Sequence, residues 1–120
     1  MSRQADADAL TPAAYHILLA LTDGEQHGYR IMGEVERASG GKVRLGPGTL
    51  YRTLDVLRTA RLIREVSRRE STGTDPRRRY YALTAEGGAA LARETRHMAD
   101  VVRLARARGV LKMLPGAEDA

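Results

Sequence analysis

The sequence predicts a mainly α-helical protein with a small β-hairpin and one long C-terminal helix. Three observations carry that expectation. Apolar residues recur at helical spacing in three segments between Pro12 and Thr59. Residues 62–68 and 79–84 alternate apolar and polar on either side of a turn-rich loop, and helical spacing returns from Ala85 to Arg108.

Composition sets the bounds. At 120 residues and 42% hydrophobic, the chain can fill one small core with an element to spare, because single domains run to about 100–150 residues. Its 20 Lys and Arg against 15 Asp and Glu give a net charge of +5, which permits a polyanionic partner without requiring one. Having no cysteine, it has no disulfide framework, thiol nucleophile or Cys-based zinc site. No apolar run approaches the ~18 residues of a membrane span, and the opening "MSRQADADAL" lacks the apolar centre of a signal peptide. A soluble, cytoplasmic protein without a membrane partner is expected.

Residues 1–9 are small and polar and predict a flexible arm. Thr11 then suits an N-cap and Pro12 the first helical position, with Leu10 placed to pack on Tyr15. The first helix should run to about Leu21, buried through Ala14, Ile17, Leu18 and Leu21, with Gly24 available for a left-handed cap. A second helix is expected from Gly28 to Ala38, with Ile31, Met32 and Val35 inward, ended by "SGG" at 39–41. "KVRL", 42–45, alternates and predicts a single short strand. A third helix follows, with Pro47 first and Leu50, Leu54 and Leu57 inward. The alternating segments around "RESTGTDPR" predict a hairpin with a long basic tip. Thr84 can cap the final helix, which ends near Arg108 or continues past Gly109 to Leu114 before Pro115 and Gly116. The chain thus divides into an arm (1–9), a folded domain (10–84), a C-terminal helix (85–114) and a tail (115–120).

Three helices followed by a two-stranded hairpin is the winged helix-turn-helix arrangement, in which the third helix enters the DNA major groove and the hairpin follows the backbone. Steps of ~100° from the leucine stripe put Gly48, Thr49, Arg52, Asp55, Val56 and Thr59 outward, with Tyr51 and Arg58 on a flank. Gly46 and Gly48 keep the first turn slim for a close approach. Arg52 suits guanine, Thr49 a base edge or a thymine methyl, and Tyr51 a phosphate. The plainer reading makes Arg52 a solvated arginine and Thr49 a helix-start residue. In the hairpin, Arg64, Arg68, Arg69, Arg77, Arg78 and Arg79 face only Glu65, Glu70 and Asp75, a surplus of three of the net +5. Such a basic loop can follow phosphates, or serve simply as a solubilising turn. Tyr29, Lys42, Gly48, Thr49, Tyr51, Arg52, Arg58, Arg68, Arg69, Arg77, Arg78 and Arg79 are the candidate DNA-binding residues.

From Ala85 to Arg108 the last helix would span ~36 Å at 1.5 Å per residue, more than this core needs. Leu91, Met98, Val101, Val102 and Ala105 form a near-heptad stripe interrupted by Thr95, which points to self-association across a two-fold axis. The alternative is that the helix folds back on its own domain. Gly87 and Gly88 each cost a helix about 1 kcal/mol relative to Ala, and predict close packing in its first turns. His16, His27 and His97 lack ligand spacing, and Asp55, Glu86 and Glu94 form no carboxylate pair. No catalytic residue, metal or cofactor is expected, and an enzyme is not the reading.

"LTPAAYHILLALTDGEQHGYRIMGEVE", "LGPGTLYRTLDVLRTARLI" and "RRRYYALTAEGGAAL" resemble, in order and spacing across roughly residues 10–92, the PadR family of bacterial transcriptional regulators. Each block is moderately specific, and the three together are strong. The resemblance implies a homodimeric winged-helix repressor that binds an inverted-repeat operator in double-stranded DNA and is released by a small aromatic or drug-like effector. The single C-terminal helix is similar to the family's compact class, in which that helix makes the dimer and borders the ligand cavity. By position, the family pattern implies Tyr29 near the DNA backbone, Thr49, Tyr51 and Arg52 on the reading helix, and Arg77, Arg78 and Arg79 at the base of the wing. It places Met98 and Val102 at the dimer seam, where Tyr15 is the one helix-one aromatic available to line a ligand site.

Two positions depart from the pattern. Gly46 stands where members often have Ser, removing a capping hydroxyl and leaving phosphate contact to backbone N–H groups. Arg61 stands where members often have Gly; a left-handed turn there costs about 1 kcal/mol or more, so the third helix is expected to end differently and tilt the wing. The competing functional reading is a winged-helix module that binds protein and does not read DNA sequence.

Overall fold

The computed structural model describes residues 10–66 and 79–116. Helix α1 (Pro12–Ala20) opens as expected: Thr11 caps it by accepting from the Ala14 N–H, and Pro12 fills the first position. Leu10 and Tyr15 both pack half-buried against the core. Because α1 is apolar on nearly every side, it sits at the centre and packs on the other three helices. Its Ala14, Ile17 and Leu18 are buried, and Leu21 opens a short 3-10 turn to Asp23. Gly24 closes that turn at φ +121° and ψ −174°, an extended glycine conformation rather than the left-handed helical cap expected.

Helix α2 (Gly28–Ala38) keeps the expected bounds, with Ile31 and Val35 fully buried and Met32 half-buried. Residues 42–45 do not form the strand their alternation predicts. Val43 and Leu45 do turn inward, which accounts for the pattern, but Ser39 takes the backbone groups that a ladder would use. Its hydroxyl accepts from Val43 N (2.9 Å) and lies 3.3 Å from Val43 O. The additional strand is β1 (Gln26–His27).

Helix α3 (Pro47–Thr59) buries Leu50, Leu54 and Leu57, each worth about 1.5–3 kcal/mol relative to exposure. It ends in a left-handed turn: Arg61 has φ +65°, Leu62 N bonds Leu57 O (2.9 Å), and Arg61 N bonds Arg58 O (3.0 Å). These are the two bonds of a Schellman motif. The different ending expected from Arg61 does not occur: the two bonds hold the left-handed turn, and the chain bears the strain there.

Strands β2 (Ile63–Val66) and β3 (Tyr80–Leu83) pair antiparallel, Ile63 opposite Leu83 and Val66 opposite Tyr80. With β1 on the other edge of β3, Gln26 opposite Tyr81, the sheet order is β1-β3-β2. The expected N-terminal arm and the tip of the hairpin lie outside the described residues, as does the tail beyond Gly116.

Thr84 joins the hairpin to helix α4 (Ala85–Ala107). Its hydroxyl accepts from Gly87 N (2.9 Å) and donates to Arg61 O (2.7 Å), while Thr84 N bonds Leu62 O. The close packing expected at the paired glycines falls on Gly87 alone: a Cβ there would meet the Leu62 carbonyl and the Leu83 side chain, whereas one at Gly88 would touch only Leu83, at 3.8 Å. Gly109, at φ +75°, stops α4, and Val110–Met113 forms a 3-10 turn. The helix does not continue past Gly109.

Candidate nucleic-acid interface

The rigid side of α3 is fixed by Leu50, Leu54 and Leu57, so the opposite side has one possible orientation. It faces solvent: Thr49, Arg52, Asp55, Val56 and Thr59 are all exposed. The N-terminus of the helix has no side-chain cap, Gly46 standing in the capping place with extended backbone. The N–H groups of Gly48 and Thr49 therefore point out of the helix without an intrahelical acceptor.

The outward side chains differ in freedom. Arg58 is held by Asp55, Nη2 to Oδ1 2.6 Å, and this hydrogen bond, followed by the Asp55 charge, raises the Arg58 pKa further. Thr53 donates to Thr49 O (2.8 Å), so its hydroxyl proton is committed. Arg52 makes only a long contact with Thr49 Oγ1, 3.5 Å, at the limit of a hydrogen bond. Of the two α3 arginines, Arg52 is the one without a carboxylate partner among the described residues.

Tyr51, on the flank of α3 where the helical steps put it, is 45% exposed. Its ring turns back over the start of α2, where a Cβ on Gly28 would come within 2.5 Å of the Tyr51 Oη. A side chain at Gly28 would make the Tyr51 ring swing away. Tyr29, one position on, is 69% exposed, and Lys42 is exposed in the turn before α3. The start of α2 is capped by His27, whose Nδ1 accepts from Arg30 N (3.3 Å) and whose ring meets Tyr80 edge-on.

Of the wing arginines, Arg79 is described and exposed, and it lies near Tyr81. Burial pushes the Tyr81 phenol above its ordinary pKa and the Glu65 carboxylate adds to this, while a hydrogen bond with Arg79 pulls it back. Arg68, Arg69, Arg77 and Arg78 lie outside the described residues.

The proposed seam residues separate into two groups. Leu91, expected on the outer stripe, is buried in the chain's own core at 7% exposure, because the first turns of α4 pack back on α1. Beyond them the helix stands clear. Met98, Val101, Val102 and Leu104 are exposed, and Ala105 is half-buried. Thr95, Met98, Ala99, Val102, Arg103 and Arg106 line an open groove there. The interruption of the stripe at Thr95 has a structural use. Its hydroxyl donates to Leu91 O (2.7 Å), so the Tyr15 O–H donates to Thr95 Oγ1 (2.7 Å) and ties α1 to α4.

Sequence reasoning missed β1, Gln26 and the Tyr15–Thr95 tie. Gln26 is 4% exposed, with Nε2 donating to Ala20 O (2.7 Å) and Oε1 lacking a partner among the described residues. A polar residue between two glycines gave no sign of burial. Among the described residues, no group of three His, Asp or Glu could hold a metal, and no helix is long and apolar enough to cross a membrane.

Comparison with known proteins places this geometry. A 42% identical stretch of 83 residues occurs in an uncharacterized 37.1 kDa protein of transposon TN4556 from Streptomyces fradiae, covering 69% of this chain; the chain spans only 22% of that curated relative. A PadR family transcription regulator from Clostridium difficile superposes with TM-score 0.65 at 25% identity, covering 80% of this chain and 96% of the other. RosR of H. salinarum, in a structure described as a complex, gives TM-score 0.65 at 26% identity over 90% and 91% of the two chains. A transcriptional regulator from Clostridium thermocellum shares the fold, with TM-score 0.65 at 21% identity over 78% and 86%. Residues 17–93, more than half of the chain, match the transcriptional regulator PadR-like family, and the protein belongs to that family.

Proposed function

We propose that the protein is a sequence-specific DNA-binding transcriptional repressor, acting in the cytoplasm as a homodimer on an inverted-repeat operator. The observation that carries the reading is the outward face of α3, where Thr49 and Arg52 project beside an uncapped, glycine-slimmed helix start while the leucine stripe holds the helix rigid. In this reading, residues 10–84 bind DNA and residues 85–114 make the dimer. The Gly48 and Thr49 N–H groups, Tyr29, Lys42 and the wing arginines contact phosphate, and Arg52 reads a base edge. Arg58, paired with Asp55, adds no net charge to the face and does not reach for a base. Met98, Val101, Val102 and Ala105 meet their counterparts across the two-fold axis, and a small aromatic or drug-like effector would bind beside this seam.

The test is footprinting on genomic DNA fragments at several salt concentrations. The expected result is two protected half-sites with centres about one helical turn, ~34–36 Å, or a multiple of it apart. Protection of one unpaired site, or no salt-dependent binding to any fragment, would return the protein-binding reading to first place.

A further inference from the structure

The outward face of α3 carries one side chain that a solvated helix does not need. Val56 is 60% exposed, flanked by Asp55 and by the charged and hydroxylated residues of the same face. Its position on the helix is informative. At 100° per residue Val56 falls about 20° from Thr49 and about 40° from Arg52, between the two and on the Thr49 side of the face. It lies ~10 Å further along the axis than Thr49, about the rise of three base pairs for a helix that lies along the groove. A helix that seats Thr49 and Arg52 against base edges therefore brings Val56 to the same groove floor.

The other side chains around it on this face are polar, Thr59 one turn further on included. Asp55 and Arg58 are bound to each other at 2.6 Å, and the Thr53 hydroxyl is committed to the Thr49 carbonyl. What remains at this point of the face is an isopropyl group with no hydrogen-bonding capacity. The one apolar feature that base pairs present in the major groove is the thymine C5-methyl group.

We infer that Val56 is a specificity-determining residue that packs on a thymine methyl, about three base pairs from the pair contacted near Thr49, so that each half-site is required to hold a thymine there. The inference rests on the DNA-binding reading above and deepens it. The recognised chemistry is a methyl group in a polar groove, and no hydrogen bond is involved.

The experiment uses the full chain and the footprinted operator, with each thymine of a half-site replaced in turn by deoxyuridine, which removes only the methyl. For the unaltered protein one position in each half-site should lose about fourfold in affinity, the factor that burial of one CH2-sized group supplies, and about fifteenfold when both half-sites are changed. For Val56→Ala, which alters an exposed side chain and leaves the core intact, the penalty at that position should vanish while affinity for random DNA stays unchanged. The inference is overturned if Val56→Ala keeps the full deoxyuridine penalty, if no thymine in the half-site is sensitive, or if the variant weakens operator and random DNA equally. Failure of the DNA-binding reading itself looks different: no protected operator is found at all.

Discussion

Replacing Arg61 by glycine should make the protein more stable, although it deletes a charged side chain that sits on the surface. Arg61 holds φ +65°, a region that costs an L-residue about 1–2 kcal/mol. The structure does not let it relax, because Leu62 N–Leu57 O and Arg61 N–Arg58 O close the end of α3, and Thr84 Oγ1 binds the Arg61 carbonyl from the other side. Glycine removes the strain but gives the unfolded chain more freedom, worth about 0.4–1 kcal/mol in the opposite direction. The net gain should be about 0.5–1 kcal/mol, a rise in Tm of roughly 2–5 °C for a chain of this size. The control is the preceding residue: Ala60 has φ −78°, so Ala60→Gly gains nothing and should lose about 0.5–1 kcal/mol. Thermal and denaturant unfolding of both variants at one fixed protein concentration makes the comparison, since the Tm of the proposed dimer would depend on concentration. If Arg61→Gly is neutral or destabilising while Ala60→Gly behaves as stated, the left-handed end of α3 is not under strain and the reasoning fails.

Gly87→Ala should cost about 3 kcal/mol, because its Cβ would meet the Leu62 carbonyl and Leu83, whereas Gly88→Ala, where the added Cβ only touches Leu83 at 3.8 Å, should gain about 0.5–1 kcal/mol from helix propensity; chemical denaturation of the two variants measures both. Under the proposed function, Met98→Asp should place a charge in the proposed seam, weaken dimerisation and abolish operator binding while leaving each monomer's helical circular dichroism intact, and a sedimentation experiment showing an unchanged dimer would remove Met98 from the interface.

The parts of the fold that read clearly in the sequence are those where one local rule acts alone. Thr11 with Pro12, Thr84 with Gly87, and the spacing of Leu50, Leu54 and Leu57 each fix an element without help from distant residues. The misreadings arise where a tertiary partner decides. Val43 and Leu45 alternate because the core takes them, yet a strand also needs a free ladder partner, and Ser39 occupies the backbone instead. Gln26 and His27 become a strand only because β3 offers an edge, and two residues are too few to show a period. In the candidate site, the outward face of α3 was legible from the leucine stripe. That Tyr51 folds over Gly28 and Arg58 onto Asp55 was not, since side chains on a helix flank choose between solvent and neighbours by contacts that spacing does not encode. Leu91 shows the same limit: the heptad pattern gives it a face, but the packing of α1 decides where the own core ends and the free surface of α4 begins.

The central claim is that α3 reads sequence and the hairpin holds phosphate. The most direct measurement is the affinity of two variants for operator and random DNA across a range of salt concentrations. Arg52→Ala should cost operator binding about 1–3 kcal/mol per half-site and relax preference at one base pair, while sparing random DNA. Joint replacement of Arg77, Arg78 and Arg79 by Ala should instead weaken both DNAs by similar factors and lower the slope of log affinity against log salt by about 1 for each phosphate that the wing no longer neutralises. The contradicting result is an Arg52→Ala variant that weakens operator and random DNA equally: Arg52 would then be a phosphate clamp, and the exposed face of α3 would position the protein on DNA without reading its sequence.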